Sequence, residues 1–259
     1  LISRLLGQQA QQAANEVSST AFYSALALGL IMTLAGLGFL DPLVRALGAT
    51  DTIAPYARDY AQYILLGAPV MTASFVMNNL LRAQCCASQA MVGLTPGGLL
   101  NIGLDLLFVA VLPFGIAGAA LATVLAQYVS AVGILLYVLL RCRMWLPSKK
   151  EWRFSHSILK EILNLSSMTC IQQSVMNFGI LMVQGLVNSF GPAVMAAFAA
   201  AVKIDTFAYL PVQDFGNAYS TFTAQNYGAG NHERIRRGTK DAFALSAAFS
   251  IVISMLVNL

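Results

Sequence analysis

Charge is what this chain has least of. Of its 259 residues only 10% are Asp, Glu, Lys or Arg and 58% are hydrophobic, whereas charged residues make up about a quarter of a soluble domain. The scarcity excludes an ordinary soluble domain and reads as an integral membrane protein. Histidine is nearly absent, with only His156 and His232. The four cysteines, Cys85, Cys86, Cys142 and Cys170, show neither CxxC spacing nor a histidine at ligand distance. No metal site, disulfide framework or cofactor is therefore expected. Without a Ser-His-Asp set or metal-ligand cluster in or near an apolar run, an enzyme is not expected either. The chain opens LISRLLG, without Met and without the basic n-region and cleavage site of a signal peptide, and it stops at Leu259 inside an apolar segment. It reads as an internal fragment.

What the chain does have is length in its apolar runs. Crossing about 30 Å of hydrocarbon takes roughly 20 apolar residues. Stretches near 20–40, 60–81, 91–112, 116–140, 162–190 and 193–225 qualify or nearly do, and a seventh begins near Asp241. The fold class expected is all-α, a polytopic transmembrane helical bundle. A polar linker, QQAQQAANEVSS, precedes the first run. The segment 141–160 carries six basic residues against the single acid Glu151 and divides 1–140 from 161–259 as the boundary between two transmembrane lobes.

Lys and Arg also set the orientation. The linker before the first run, the turn 82–90, the segment 141–160 and the loop 226–240 hold one, one, six and four of them, while the intervening loops hold two, none and none. By the positive-inside rule 82–90, 141–160 and 226–240 are cytoplasmic. The net charge of +4 thus sits in topology-setting loops, and nucleic-acid binding is not expected.

Several runs carry small residues every fourth position, a spacing that lets helix backbones approach closely: Ala25, Gly29 and Thr33 in the first run, and Gly118, Ala122, Ala126 and Ser130 in the fourth. Packing is the expected role. Pro69 and Pro211 lie inside spans, where proline frees a backbone carbonyl and bends the helix.

The polar residues inside the spans are the functional candidates, because ionisable groups at bilayer depth are tolerated only facing protein or a water-filled cavity. Asn101 and Asp105, four apart, share a helix face. Desolvation favours the neutral form of a carboxyl, which is what a proton carrier uses; the alternative is a carboxyl hydrogen-bonded to a neighbouring helix end. In 162–190, Ser166, Gln173, Asn177, Gln184 and Asn188 fall within about 60° of one another on a helical wheel. The next run holds Lys203, Asp205 and Asp214. Asp205 and Tyr209 share a face, and Lys203, Asp214, Asn217, Thr221 and Gln225 lie near one stripe if the helix is straight. Lys203 and Asp205 read either as site residues or as partners of internal ion pairs.

The junctions before the first and seventh runs superpose at an offset of 221 residues, which carries Gly7 onto Gly228. Each is an apolar end, a Gly turn, a polar linker and a new helix on the same side, as a parallel repeat gives.

RAQ at 82–84, AM at 90–91, LNIGLD at 100–105 and GIAGAALATVLAQ at 115–127 resemble the first lobe of the multidrug and toxin extrusion (MATE) family. KIDTFAYLPVQDFGNAYSTFTAQNYGAGN at 203–231 is similar to that family's eighth helix and following loop. The resemblance implies a twelve-helix exporter of two six-helix lobes, of which this chain holds the end of helix two to part of helix nine. It implies a central cavity alternately open to either side, and Na+ or H+ inflow driving out organic cations and other amphipathic compounds across the plasma membrane. Many members place an acid in the seventh helix; here there is none between Glu161 and Asp205, and Asn177 and the glutamines stand instead. Cys85 and Cys86 replace the small or polar residues usual after RAQ. A monomer in contact with membrane lipid is expected. Other functions open on these residues are a flippase for lipid-linked saccharides on the same scaffold and a non-transporting assembly partner.

Overall fold

The computed structural model describes residues 1–47, 49, 54–84, 87–112, 114–141, 154–188 and 190–257. Among them the chain is all helical: α1 (Ile2–Gly7), α2 (Gln11–Gly38), α3 (Leu40–Ala46), α4 (Ala54–Ala83), α5 (Ala87–Asp105) continued by a π turn (Leu106–Val111), α6 (Gly115–Arg141), α7 (His156–Asn188), α8 (Pro192–Gly228) and α9 (His232–Val257). A helix closes its own backbone hydrogen bonds, which is what hydrocarbon demands of a spanning segment. Six of these helices are long and apolar enough to cross a membrane.

Three boundaries differ from expectation. From Gln11 onward the polar linker QQAQQAANEVSS is the first part of α2, and its Asn15, Ser18 and Ser19 are buried together with Thr20. Ser18, Ser19 and Thr20 donate their hydroxyls to the carbonyls four residues back, at 2.8, 3.0 and 2.9 Å, so these polar side chains are satisfied within the helix itself. The loop 226–240 is also shorter than expected, because α9 starts at His232. Asn231 Oδ1 accepts from the Arg234 backbone N–H at 3.1 Å, an N-cap, and Glu233 sits in the first turn. The turn 82–90 narrows likewise, since α4 runs to Ala83 and α5 starts at Ala87. Cys85, Cys86, Cys142 and most of the basic segment 141–160 lie outside the described residues.

The helices form two compact units, one of Gln12–Leu159 and one of Ser3–Gln11 with Lys160–Leu259. In the first, α6 packs on both α4 and α5. Its small series is the contact surface: Ala122, Ala126 and Ser130 are at most 4% exposed. A Cβ on Gly97 of α5 would strike the Ser130 hydroxyl, and one on Gly67 of α4 would lie 3.2 Å from Val124. Leu81, Ala90 and Ile134 close the core at one end.

The small series of α2 does the same against α4. A Cβ on Gly29 would lie 2.6 Å from the Pro69 Cα, Thr72 Oγ1 is 3.0 Å from the Ala25 carbonyl, and Thr33 Oγ1 is 2.6 Å from that of Leu65.

In the second unit α8 begins at Gly191–Pro192, where Gly191 has φ 92° and proline occupies the first helical turn. The hairpin of α8 and α9 is tied by Tyr219 Oη and Thr239 Oγ1 at 2.6 Å, and by Phe222, whose ring lies against Gly238 and under the Arg234 guanidinium at 5.8 Å.

Candidate functional site

Asn101 and Asp105 lie one turn apart on α5, both half-buried. They continue a series of every fourth residue whose earlier members, Gly93 and Gly97, meet Ile134 and Ser130 of α6. Each step of four advances 40° around the helix, so the series drifts from the packed face toward its flank. Asn101 Nδ2 and Asp105 Oδ1 are each buried without a hydrogen-bond partner. Buried polar atoms are normally paired, so two orphans one turn apart in an apolar span mark a place able to take a further polar group.

Asp105 is also where the backbone changes register. It is the last α-helical residue before the π turn, which ends with Leu112 in an extended conformation and its N–H on the Leu107 carbonyl at 2.7 Å. Leu112 precedes a proline, which disfavours the helical region for it. The Phe114 N–H bonds the Phe108 carbonyl at 3.2 Å, and the Phe108 and Phe114 rings stand 6.0 Å apart. Single π turns are frequent at functional sites. The Leu-Pro pair of the sequence was a signal for a helix end, but not for this register change.

Gln173, Asn177 and Gln184 of α7 are exposed, as are Lys203, Asp205, Tyr209 and Asp214 of α8. Gln184 and Asp214 make further interactions. Among the described residues no ion pair joins Lys203 or Asp205 to any partner. α8 is continuous through Pro211, and α4 through Pro69.

Two groups were not anticipated: Gln89 Oε1 at the start of α5 and Thr223 Oγ1 near the end of α8 are also buried without a partner. A single Gln or Thr near a helix end carries no periodic signal that distinguishes it from a solvated residue. Elsewhere, a cleft of about 660 Å³ opens beside Asp41, Arg45, Arg58 and Asp59, where Arg58 and Asp41 pair at 3.4 Å.

The model of the MatE family matches residues 1–107 and 166–259, the parts that hold Asn101, Asp105 and all of α8. The chain belongs to the MatE family. As a MATE chain it is similar to the probable multidrug resistance protein YpnP of Bacillus subtilis, 29% identical over 82% of this chain and 48% of that protein. It is similar as well to the multidrug export protein MepA of Staphylococcus aureus strain MRSA252, 25% identical over 98% of this chain and 56% of MepA. Among solved structures, a multidrug resistance MATE family transporter in an outward-facing conformation superposes with a TM-score of 0.88 at 27% identity, over 99% of this chain and 57% of that one. The MATE chain thus spans about half the length of the curated relatives it matches, and it is a multi-pass membrane protein.

Proposed function

We propose that this chain is part of a secondary active multidrug exporter of the plasma membrane, which expels organic cations and other amphipathic compounds in exchange for Na+ or H+. The observation that carries the reading is the pair of orphaned buried atoms, Asn101 Nδ2 and Asp105 Oδ1, at an α-to-π junction inside a span. A carboxylate there can take up one cation or proton, and the Asn101 amide one turn away can orient it. Binding shifts a two-state equilibrium only by its difference in affinity for the two states. Loading Asp105 would therefore favour one lobe arrangement, and the drug the other. The multidrug relatives support the substrate class.

The exposed polar residues of α7 and α8 fit a cavity wall in the same scheme, since a charged side chain at bilayer depth must meet protein or water. Lys203, Asp205, Tyr209 and Asp214 would supply charge and an aromatic face to the cargo, and Gln173, Asn177 and Gln184 neutral hydrogen bonds. The chemistry needs no cofactor beyond the coupling ion. The test is dye efflux driven by an imposed Na+ or H+ gradient in the intact protein and in Asp105→Asn. Loss of gradient-driven efflux in the variant is expected; wild-type efflux in Asp105→Asn would overturn the assignment of the coupling carboxylate.

A further inference from the structure

Basic residues are disfavoured in the outer loops of a membrane protein, and this chain places only two there, Arg45 and Arg58. Both line one cleft, of about 660 Å³, a size within the roughly 300–1,000 Å³ common to small-molecule sites. Its walls come from α3, which supplies Asp41 and Arg45, and from the first turns of α4, which supply Arg58 and Asp59. The two helices pack together, with Leu40 and Val44 of α3 buried. Pro42, Val44 and Pro55 give the cleft an apolar floor.

The four charges are not used up by one another. Arg58 Nε lies 3.4 Å from Asp41 Oδ1, so these two are paired. Arg45 and Asp59 form no hydrogen bond or ion pair among the described residues. The cleft therefore offers one cation and one anion to something else.

Position along α4 sets its depth. Tyr56, Tyr60 and Tyr63 are exposed and share a helix face, at spacings of four and three. Tyrosines at the end of a span form a belt at the level of the lipid head groups. Arg58 and Asp59 stand between Tyr56 and Tyr60, and at 1.5 Å per residue they lie within about 3 Å of a belt tyrosine along the axis.

We propose that this cleft holds the head group of an outer-leaflet phospholipid bearing both a phosphate and a primary ammonium, the chemistry of phosphatidylethanolamine. The Arg45 guanidinium takes the phosphate through its fork of N–H donors. The Asp59 carboxylate accepts from the ammonium, and the apolar floor meets the glycerol stem. A choline head group has no N–H to give Asp59. A glycerol head group brings an uncompensated negative charge to a cleft that already holds two carboxylates. Lipid bound there braces α3 against α4 whether or not the protein exports drugs.

The test uses the intact protein, delipidated in detergent and given equimolar phosphatidylethanolamine, phosphatidylcholine and phosphatidylglycerol. Native mass spectrometry reads the last lipid released on collisional activation. Phosphatidylethanolamine is expected to exceed each of the others about tenfold, as charge-assisted bonds at both ends of its head group would give. Arg45→Ala and Asp59→Ala should each abolish that preference, and Arg236→Ala, on the opposite side of the membrane, should leave it intact. Both cleft side chains are exposed and unpaired, so the variants should keep the wild-type melting temperature in lipid-free detergent. Where an alanine variant melts lower, Arg45→Gln and Asp59→Asn, which keep the side-chain size, decide the matter in the same way. No preference in the wild type, a preference that survives the cleft variants, or equal loss in Arg236→Ala overturns the site. Preference for phosphatidylglycerol overturns the zwitterion. The lipid should also raise the melting temperature where an equal concentration of glycerophosphoethanolamine does not; equal shifts would make the ligand a soluble phosphate ester and overturn the lipid.

Discussion

The Thr33 hydroxyl lies 2.6 Å from the carbonyl of Leu65, the one backbone acceptor that Pro69 deprives of its helical partner. Proline has no N–H, so the carbonyl four residues before it is left open, and in hydrocarbon no water can fill it. A side chain of α2 supplies the missing donor, which lets α4 continue through Pro69. The same hydroxyl is 3.0 Å from its own Gly29 carbonyl, so its proton is shared, with the shorter contact going to Leu65.

Thr33→Val should therefore destabilise the fold by about 0.6 kcal/mol, the mean for hydrogen bonds between membrane helices. Pro69→Ala returns the N–H to α4, and in that background Thr33→Val should cost nothing. A double-mutant cycle of thermal unfolding in detergent measures the coupling; zero coupling would refute the pairing.

Gly97 is packed so closely on α6 that a methyl group would occupy the position of the Ser130 hydroxyl. Gly97→Val is expected to cost about 1–3 kcal/mol through overpacking. Ser130→Gly in the same protein should return part of it. Melting temperatures of the two single variants and the double variant decide this.

At the start of α9, Asn231→Ala should remove about 1 kcal/mol by uncapping the helix. Arg237→Ala, which removes the partner of Glu233, should leave stability unchanged, because both side chains are about three-quarters exposed. Equal effects in both variants would show that the cap and the ion pair act as one unit.

With no ion pair formed by Lys203 or Asp205 among the described residues, neutralising either should spare the fold and impair export. Lys203→Gln and Asp205→Asn are expected to reach the membrane at wild-type levels, with melting points near wild type and efflux reduced about tenfold or more. A large loss of expression in either would instead mark it as part of a structural ion pair.

Asn101→Leu keeps the size of the side chain and removes its amide. If the amide orients what Asp105 binds, the gradient needed for half-maximal efflux should rise about tenfold while maximal efflux remains. Loss of both in equal measure would place Asn101 in the scaffold.

Hydrocarbon imposes long apolar runs, and runs of that length leave the chain no economical structure other than helices; the six spans, and the contact role of Ala25, Gly29, Thr33 and of Gly118, Ala122, Ala126, Ser130, were legible in residue order alone, while the short helix α3 and the starts of α2 and α9 were not. So was the pairing of Asn101 with Asp105 on one face, because four residues make one helical turn. Periodicity gives a face and not a partner. That Thr33 serves the carbonyl opened by Pro69 and that the backbone shifts to a π turn just after Asp105 depend on which helices come within reach. Those distances are fixed by packing between segments far apart in the chain, and only the tertiary structure decides them.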